Sequence, residues 1–191
     1  QGTTYFVYSF SLEVASLIYL FGIGWALFRR IFGTEFRIKT KTKMDDYLTL
    51  GLLAFIGISG LTTEAGRIIV EDFPEYEKWS FVGYFIAENL PIDNGIFFHR
   101  TSWILHVISF FVFLISLPQS KLRHIITSPV NMFLSPKDRP KGAMKFIGNL
   151  LEADDIDTVG VEVIENFSWK QLVDLDACTV CGRCTSVCPA N

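Results

Sequence analysis

The chain has 191 residues, half of them hydrophobic, with a mean hydropathy of +0.34 and a formal net charge of −3. An average that positive excludes an ordinary soluble domain and requires long apolar runs. All four cysteines fall within the last fourteen residues, so the chain is not a secreted domain with disulfides spread along it; a tight cluster of this kind points to metal ligation in a reducing compartment. Nothing in the composition calls for a nucleic-acid partner.

The first apolar run is Phe6 to Phe28, 23 residues with one charge, Glu13, closed by Arg29 and Arg30. At a rise of about 1.5 Å per residue it is long enough to cross a hydrocarbon core of about 30 Å. The second run, Tyr47 to Val70, is rich in glycine (Gly51, Gly57, Gly60, Gly66), as helices packed in a membrane often are. Tyr76 to Leu90 is too short and too charged to span, and its aromatic residues suit an interfacial helix or cap. The third run, Ile96 to Leu117, carries His99, Arg100 and His106. The pattern after Pro118 predicts that this helix continues with a kink through His124. Residues 126–140, with three prolines, read as an irregular segment on the membrane surface. Residues 146–176 are an acidic linker, ending in a short helix that Ser168 caps with Gln171 three residues on.

The connections predict an orientation. Residues 29–46 carry six basic and three acidic side chains, residues 71–95 one and six, and residues 119–145 six and one. Basic loops stay cytoplasmic, so the first span runs inward, the second outward and the third inward again. Everything after His124 is then cytoplasmic.

Cys178, Cys181, Cys184 and Cys188, followed by Pro189, have the spacing C-x2-C-x2-C-x3-C-P. This is the bacterial ferredoxin run, whose fourth cysteine serves a second cluster in two-cluster proteins. Gly182 permits the tight turn between ligands. Structural zinc is the alternative, but zinc sites usually draw ligand pairs from separated segments, whereas these four lie within eleven residues. Cys178, Cys181 and Cys184 are therefore expected to hold one [4Fe–4S] cluster and Cys188 another.

Histidine inside a membrane span is uncommon and functional by default. On a continuous helix, His106 and His124 would lie about five turns apart on one face, separated by about 27 Å, which suits two cofactors and not one. His99 falls on the same stripe. His106 and His124 are candidate haem ligands. His99 near the outer surface, with Arg67 and Arg100, is a candidate for haem propionate or quinone contacts, though both arginines also suit simple snorkelling to the interface. Glu64 and Arg67 are spaced to pair on one helix face. Glu13 reads as an interfacial acid, with quinol proton handling as the alternative.

The stretch His106-Val-Ile-Ser-Phe-Phe-Val-Phe-Leu-Ile-Ser-Leu-Pro118-Gln-Ser-Lys-Leu-Arg-His124, with Ser128-Pro129-Val130 after it, resembles the last membrane helix of the respiratory nitrate reductase gamma subunit. That resemblance implies two b haems, with His106 on the one nearer the outer face and His124 on the one nearer the cytoplasm. The opposite ligands come from an earlier helix in that family. Neither of the first two runs contains a histidine, so two further spans, five in all, are expected in the full protein. The stretch Phe167-Ser168-Trp169-Lys170-Gln171-Leu172, running on through Asp174-Leu175-Asp176-Ala177 into the cysteines, resembles membrane-bound iron–sulfur oxidoreductases related to heterodisulfide reductase. Some of those are electron-transfer-flavoprotein:menaquinone oxidoreductases, with cysteine-rich CCG domains further on.

The expectation is an all-α membrane bundle followed by the start of a ferredoxin-like domain. Residues 1–125 form the gamma-like cytochrome b domain, 126–166 the surface segment and acidic linker, and 167–191 the truncated [4Fe–4S] domain. The resemblance implies a quinone-linked oxidoreductase of a prokaryotic inner membrane. Electrons would pass between a cytoplasmic carrier such as electron-transfer flavoprotein and menaquinone, by way of the clusters and haems. Two other readings stay open: an electron-relay anchor subunit without its own quinone site, and a non-redox membrane protein with a zinc-binding tail.

Overall fold

The computed structural model describes residues 2–33, 35, 38, 41–135 and 163–189, and every regular element among them is helical. In chain order these are α1 (Thr3–Phe32), α2 (Met44–Val70), α3 (Phe81–Asn89), α4 (Gly95–Ser116), α5 (His124–Phe133), α6 (Trp169–Asp176) and α7 (Arg183–Ser186). Short 3-10 turns lie at Glu75–Trp79, Leu117–Gln119, Lys121–Arg123 and Ile164–Asn166. Most of the predicted acidic linker lies outside the described residues. Two compact units emerge, Gln1–Ser120 with Gly182–Asn191, and Lys121–Cys181.

Among the described residues, three helices are long and apolar enough to cross a membrane: Thr3–Phe32, Met44–Val70 and Gly95–Gln119. They match the three predicted runs, extended by up to four residues at their ends. Their outward faces are apolar, with Ile18, Phe21 and Ile115 each about two-thirds or more exposed, as a lipid-facing surface requires.

Two of these helices begin on sequence-encoded caps. Asp46 accepts from the Lys43 N–H at 2.9 Å, and Asn94 Oδ1 accepts from the Phe97 N–H at 3.0 Å. Glycine sets how close the helices come. A Cβ on Gly66 would sit 3.0 Å from the His99 Cα, and one on Gly57 would sit 2.7 Å from Leu20 Cδ2. Small residues at these positions let α4 and α1 approach the backbone of α2. At the end carrying residues 71–95, α3 folds back over the bundle. Ala65, Ile68 and Ala87 are fully or almost fully buried there, with Ile69, Phe73, Tyr84 and Ile86 packed around them. The predicted 76–90 helix is thus present, split at Ser80 into a 3-10 turn and α3.

The expected continuation of the third helix past Pro118 is not found. The α-helix stops at Ser116, passes through a 3-10 turn containing Pro118, and breaks at Ser120, whose backbone is extended (φ −94°, ψ 172°). Proline supplies no N–H for the ladder and its ring crowds the preceding turn. The backbone therefore does not impose the common face on His106 and His124 that a continuous helix would.

A second expectation is also corrected. The predicted irregular segment 126–140 is helical as far as Phe133, despite Pro129 inside the helix. Within the 121–181 unit, tertiary contacts outweigh the proline. Thr127 and Ser128 hydroxyls donate to the Asp176 and Ala177 carbonyls, both at 3.2 Å, and Lys170 Nζ donates to Asn131 Oδ1 at 2.6 Å. The α6 helix starts on the predicted capping box: Gln171 N–H donates to Ser168 Oγ, and Ser168 N–H donates back to Gln171 Oε1 at 2.8 Å.

Candidate functional site

A polar seam runs between α2 and α4. Ser59, Thr62 and Thr63 on α2 meet Ser102 on α4, with hydroxyl oxygens 3.0 Å (Thr62) and 2.8 Å (Thr63) from Ser102 Oγ. The two histidines of α4 lie along this seam, seven residues apart and on one face. His106 Nδ1 lies 3.0 Å from Ser59 Oγ, and His99 Nδ1 lies 3.1 Å from the Thr63 carbonyl oxygen.

These contacts define the tautomers. A carbonyl only accepts, so His99 Nδ1 carries the proton. The Ser59 hydroxyl also lies 3.1 Å from the Ile56 carbonyl, and with its proton directed there its oxygen accepts from His106 Nδ1–H. In the other unit, His124 Nδ1 lies 2.6 Å from the Lys121 carbonyl and is again the donor. Each ring is thereby left with a lone pair on Nε2, and among the described residues nothing bonds to it. A Nδ1–H held by a protein oxygen with Nε2 open is the arrangement that metal-bound imidazoles use.

His106 also lines a groove of about 650 Å³ between α1 and α2, together with Gly57, Gly60, Glu64 and Arg67. His99, Arg100, Trp103 and Ile104 line a smaller one of about 290 Å³ on α4.

Arg67 does not pair with Glu64, as its spacing allowed. Its guanidinium makes a two-pronged bridge to Glu77 at 2.7 and 2.9 Å and reaches Glu71 at 3.2 Å. Glu77 is fully buried and also accepts from Tyr5 Oη at 2.6 Å and Ser80 Oγ at 3.2 Å. Burial by itself raises the Glu77 carboxyl, but the Arg67 guanidinium and the Tyr5 and Ser80 hydroxyls override this and hold it below the usual carboxylate range. This network ties α1, α2 and the 75–79 turn together. Sequence reading counted Glu77 only as one more acid in a loop; no local pattern distinguishes it from Glu75.

Glu13 is enclosed by its neighbours and not solvated. It is 2 % exposed, and its Oε1 accepts from the Gly83 N–H of α3 at 3.0 Å.

The four cysteines form no disulfide and all are exposed. The loop has two left-handed residues, Gly182 (φ 74°), where the turn needs glycine, and Val180 (φ 52°), where a β-branched side chain makes the conformation costly. The Val180 N–H points at Cys178 Sγ, 3.4 Å away. Four thiols at this spacing, with a backbone amide donating to sulfur, fit the donor set and second-sphere hydrogen bonding of an iron–sulfur site. Among the described residues, no three His, Cys, Asp or Glu side chains are gathered closely enough to hold a metal, so the fit rests on donor chemistry and spacing.

Long apolar helices joined to such a run define an all-helical protein with membrane-length helices and a cysteine-rich [4Fe–4S] binding region. Residues 169–190 match the 4Fe-4S binding domain family. Over its whole length the chain is 30 % identical to EtfAB:quinone oxidoreductase of Syntrophomonas wolfei subsp. wolfei and 32 % identical to "Probable iron-sulfur-binding oxidoreductase FadF" of Bacillus subtilis. It covers 27 % and 26 % of those proteins, so it spans about a quarter of their length. A 41-residue stretch, 21 % of this chain and 6 % of the relative, is 54 % identical to "Probable membrane-anchored ferredoxin" of Chromohalobacter salexigens. No solved structure matches the chain.

Proposed function

We propose that this chain is the membrane and cluster-binding part of an oxidoreductase that passes electrons between a cytoplasmic carrier and the quinone pool. The observation that carries the reading is a conjunction on one chain. A ferredoxin cysteine run follows membrane-length helices, and the histidine of α4 that lines the groove, His106, keeps its Nε2 lone pair open. Whole-length similarity to a protein named EtfAB:quinone oxidoreductase supports electron-transfer flavoprotein as the carrier and quinone, of the menaquinone type, as the membrane partner.

Cys178, Cys181 and Cys184 would hold one [4Fe–4S] cluster, and Cys188 would contribute to a second. His106 and His124 would each hold a b haem through Nε2, with the opposite ligands outside α1 and α2, which have no histidine. Bound clusters and haems supply one-electron transfer. The chain's own part is to fix the imidazoles: Ser59 and the Lys121 carbonyl set the tautomer and ring orientation of His106 and His124. Arg67 is already engaged by two carboxylates, which leaves Arg100 and His99 as the better candidates for propionate or quinone contacts. The excess of basic residues in 29–46 and 119–145 supports a prokaryotic inner membrane with the cluster side facing the cytoplasm.

The test uses the complete protein in membrane vesicles, with a one-electron reductant added and quinone reduction followed. Wild type should reduce quinone and Cys181→Ser should not. Equal rates in the two would overturn the reading.

A further inference from the structure

Glu13 is buried with one oxygen satisfied and the other, Oε2, without any hydrogen-bond partner among the described residues. A carboxylate in that state inside a hydrocarbon layer is costly, whereas a carboxyl that carries a proton, or donates it onward, is not. Its neighbour across the α3 N-terminus is a second acid. A Cβ on Gly83 would sit 2.9 Å from Glu64 Cγ and 3.2 Å from Glu64 Oε2, so both carboxyls press against the same residue. Among the described residues, neither acid forms an ion pair. Arg67, three residues from Glu64 on α2, is bound by Glu77 and Glu71, and Tyr5 is bound by Glu77.

Glu64 lines the 650 Å³ groove that His106 also lines, with Ser9, Leu12 and Ser16 opposite on α1. One turn from Glu13, the buried Ser9 and Ser80 hydroxyls bond to each other and Ser80 bonds to Glu77, which continues a polar seam to the end carrying residues 71–95.

We propose that Glu13 and Glu64 form a proton-bearing carboxyl pair that serves this groove, passing protons to the oxygens of a quinone bound there. The substrate class rests on the proposed function; the pair itself rests on geometry. Reducing a quinone to its quinol adds two electrons and two protons. Electrons come one at a time from the iron–sulfur side of the same protein. Each proton leaves a carboxyl O–H for a quinone oxygen, and the carboxylate left behind regains one from water that enters the groove.

The variants are Glu13→Gln and Glu64→Gln in the complete, membrane-embedded protein. Glutamine keeps the size and, at Glu13, the oxygen that Gly83 bonds. Each should lower the kcat of quinone reduction by about 10²-fold, the scale of one lost acid–base group, with KM little changed. Infrared spectra should show a protonated-carboxyl C=O band in wild type that shifts in D2O and disappears in Glu13→Gln. A wild-type kcat in both variants, or a spectrum without that band, would overturn the pair. If wild type reduces no quinone at all, the functional reading falls, and the infrared band alone decides whether the pair holds a proton.

Discussion

The histidine seam and the cysteine run position their side chains in opposite ways. At the seam, α2 comes close enough to α4 to bond each imidazole at Nδ1, through the Ser59 hydroxyl at His106 and the Thr63 carbonyl at His99, so ring orientation is set by helix packing. The cysteine run has no such frame. Its sulfurs sit on an exposed local loop shaped by Gly182 and Val180, with the Val180 amide aimed at Cys178 Sγ. A site framed by packing should fail when the packing is altered, and a site framed by local spacing should fail only when a ligand or its loop is changed.

The strongest way to break that contrast is Cys181→Ser. It should abolish one cluster, read as loss of its electron paramagnetic resonance signal, while haem content stays at wild type; loss of both would mean the two halves are one folding unit. Next in size is Glu77→Ala, which leaves Arg67 without its buried partner. It should destabilise the 71–95 end of the bundle by about 3–5 kcal/mol, measured by thermal unfolding in detergent. The same network has a pH signature. Because the Glu77 carboxyl is held below its ordinary value, its contribution is complete at neutral pH and is lost as pH falls through that lowered value. Glu77→Gln should flatten the acid limb of the stability profile, and an unchanged limb would show that another group governs it.

Gly66→Val sharpens the packing side. Its side chain would meet the His99 backbone, so α2 and α4 must separate, and haem occupancy should fall while the cluster signal is unaffected. Ser59→Ala is subtler, removing only the oxygen that orients His106, and should weaken haem affinity by about 10–100-fold. The smallest effect belongs to Ser168→Ala, which removes the α6 cap at a cost of about 1 kcal/mol and should leave both cofactors in place.

What was legible in the sequence follows the same division. Cysteine spacing, span lengths, the Ser168–Gln171 cap and a short helical segment within 76–90 are local patterns, and each was readable from adjacent residues. The Pro118 break and the Pro129-containing helix were not. At Pro118 the sequence signals a disturbance but not whether the helix kinks or stops, and the Pro129-containing helix depends on partners such as Asp176, Ala177 and Lys170, which lie some forty to fifty residues away along the chain. The burial of Glu13 and Glu77 was missed for the same reason. Among loop and span acids, only tertiary placement distinguishes the buried ones, and their partners Gly83, Arg67 and Tyr5 come from other elements.

The most direct test of the account is a reduced-minus-oxidised optical spectrum of the complete, membrane-extracted protein, with haem quantified per chain in wild type and in His106→Ala. The account predicts two b haems in wild type and one in the variant, with the iron–sulfur signal unchanged. Wild-type haem content in His106→Ala, or no haem in either protein, would contradict it.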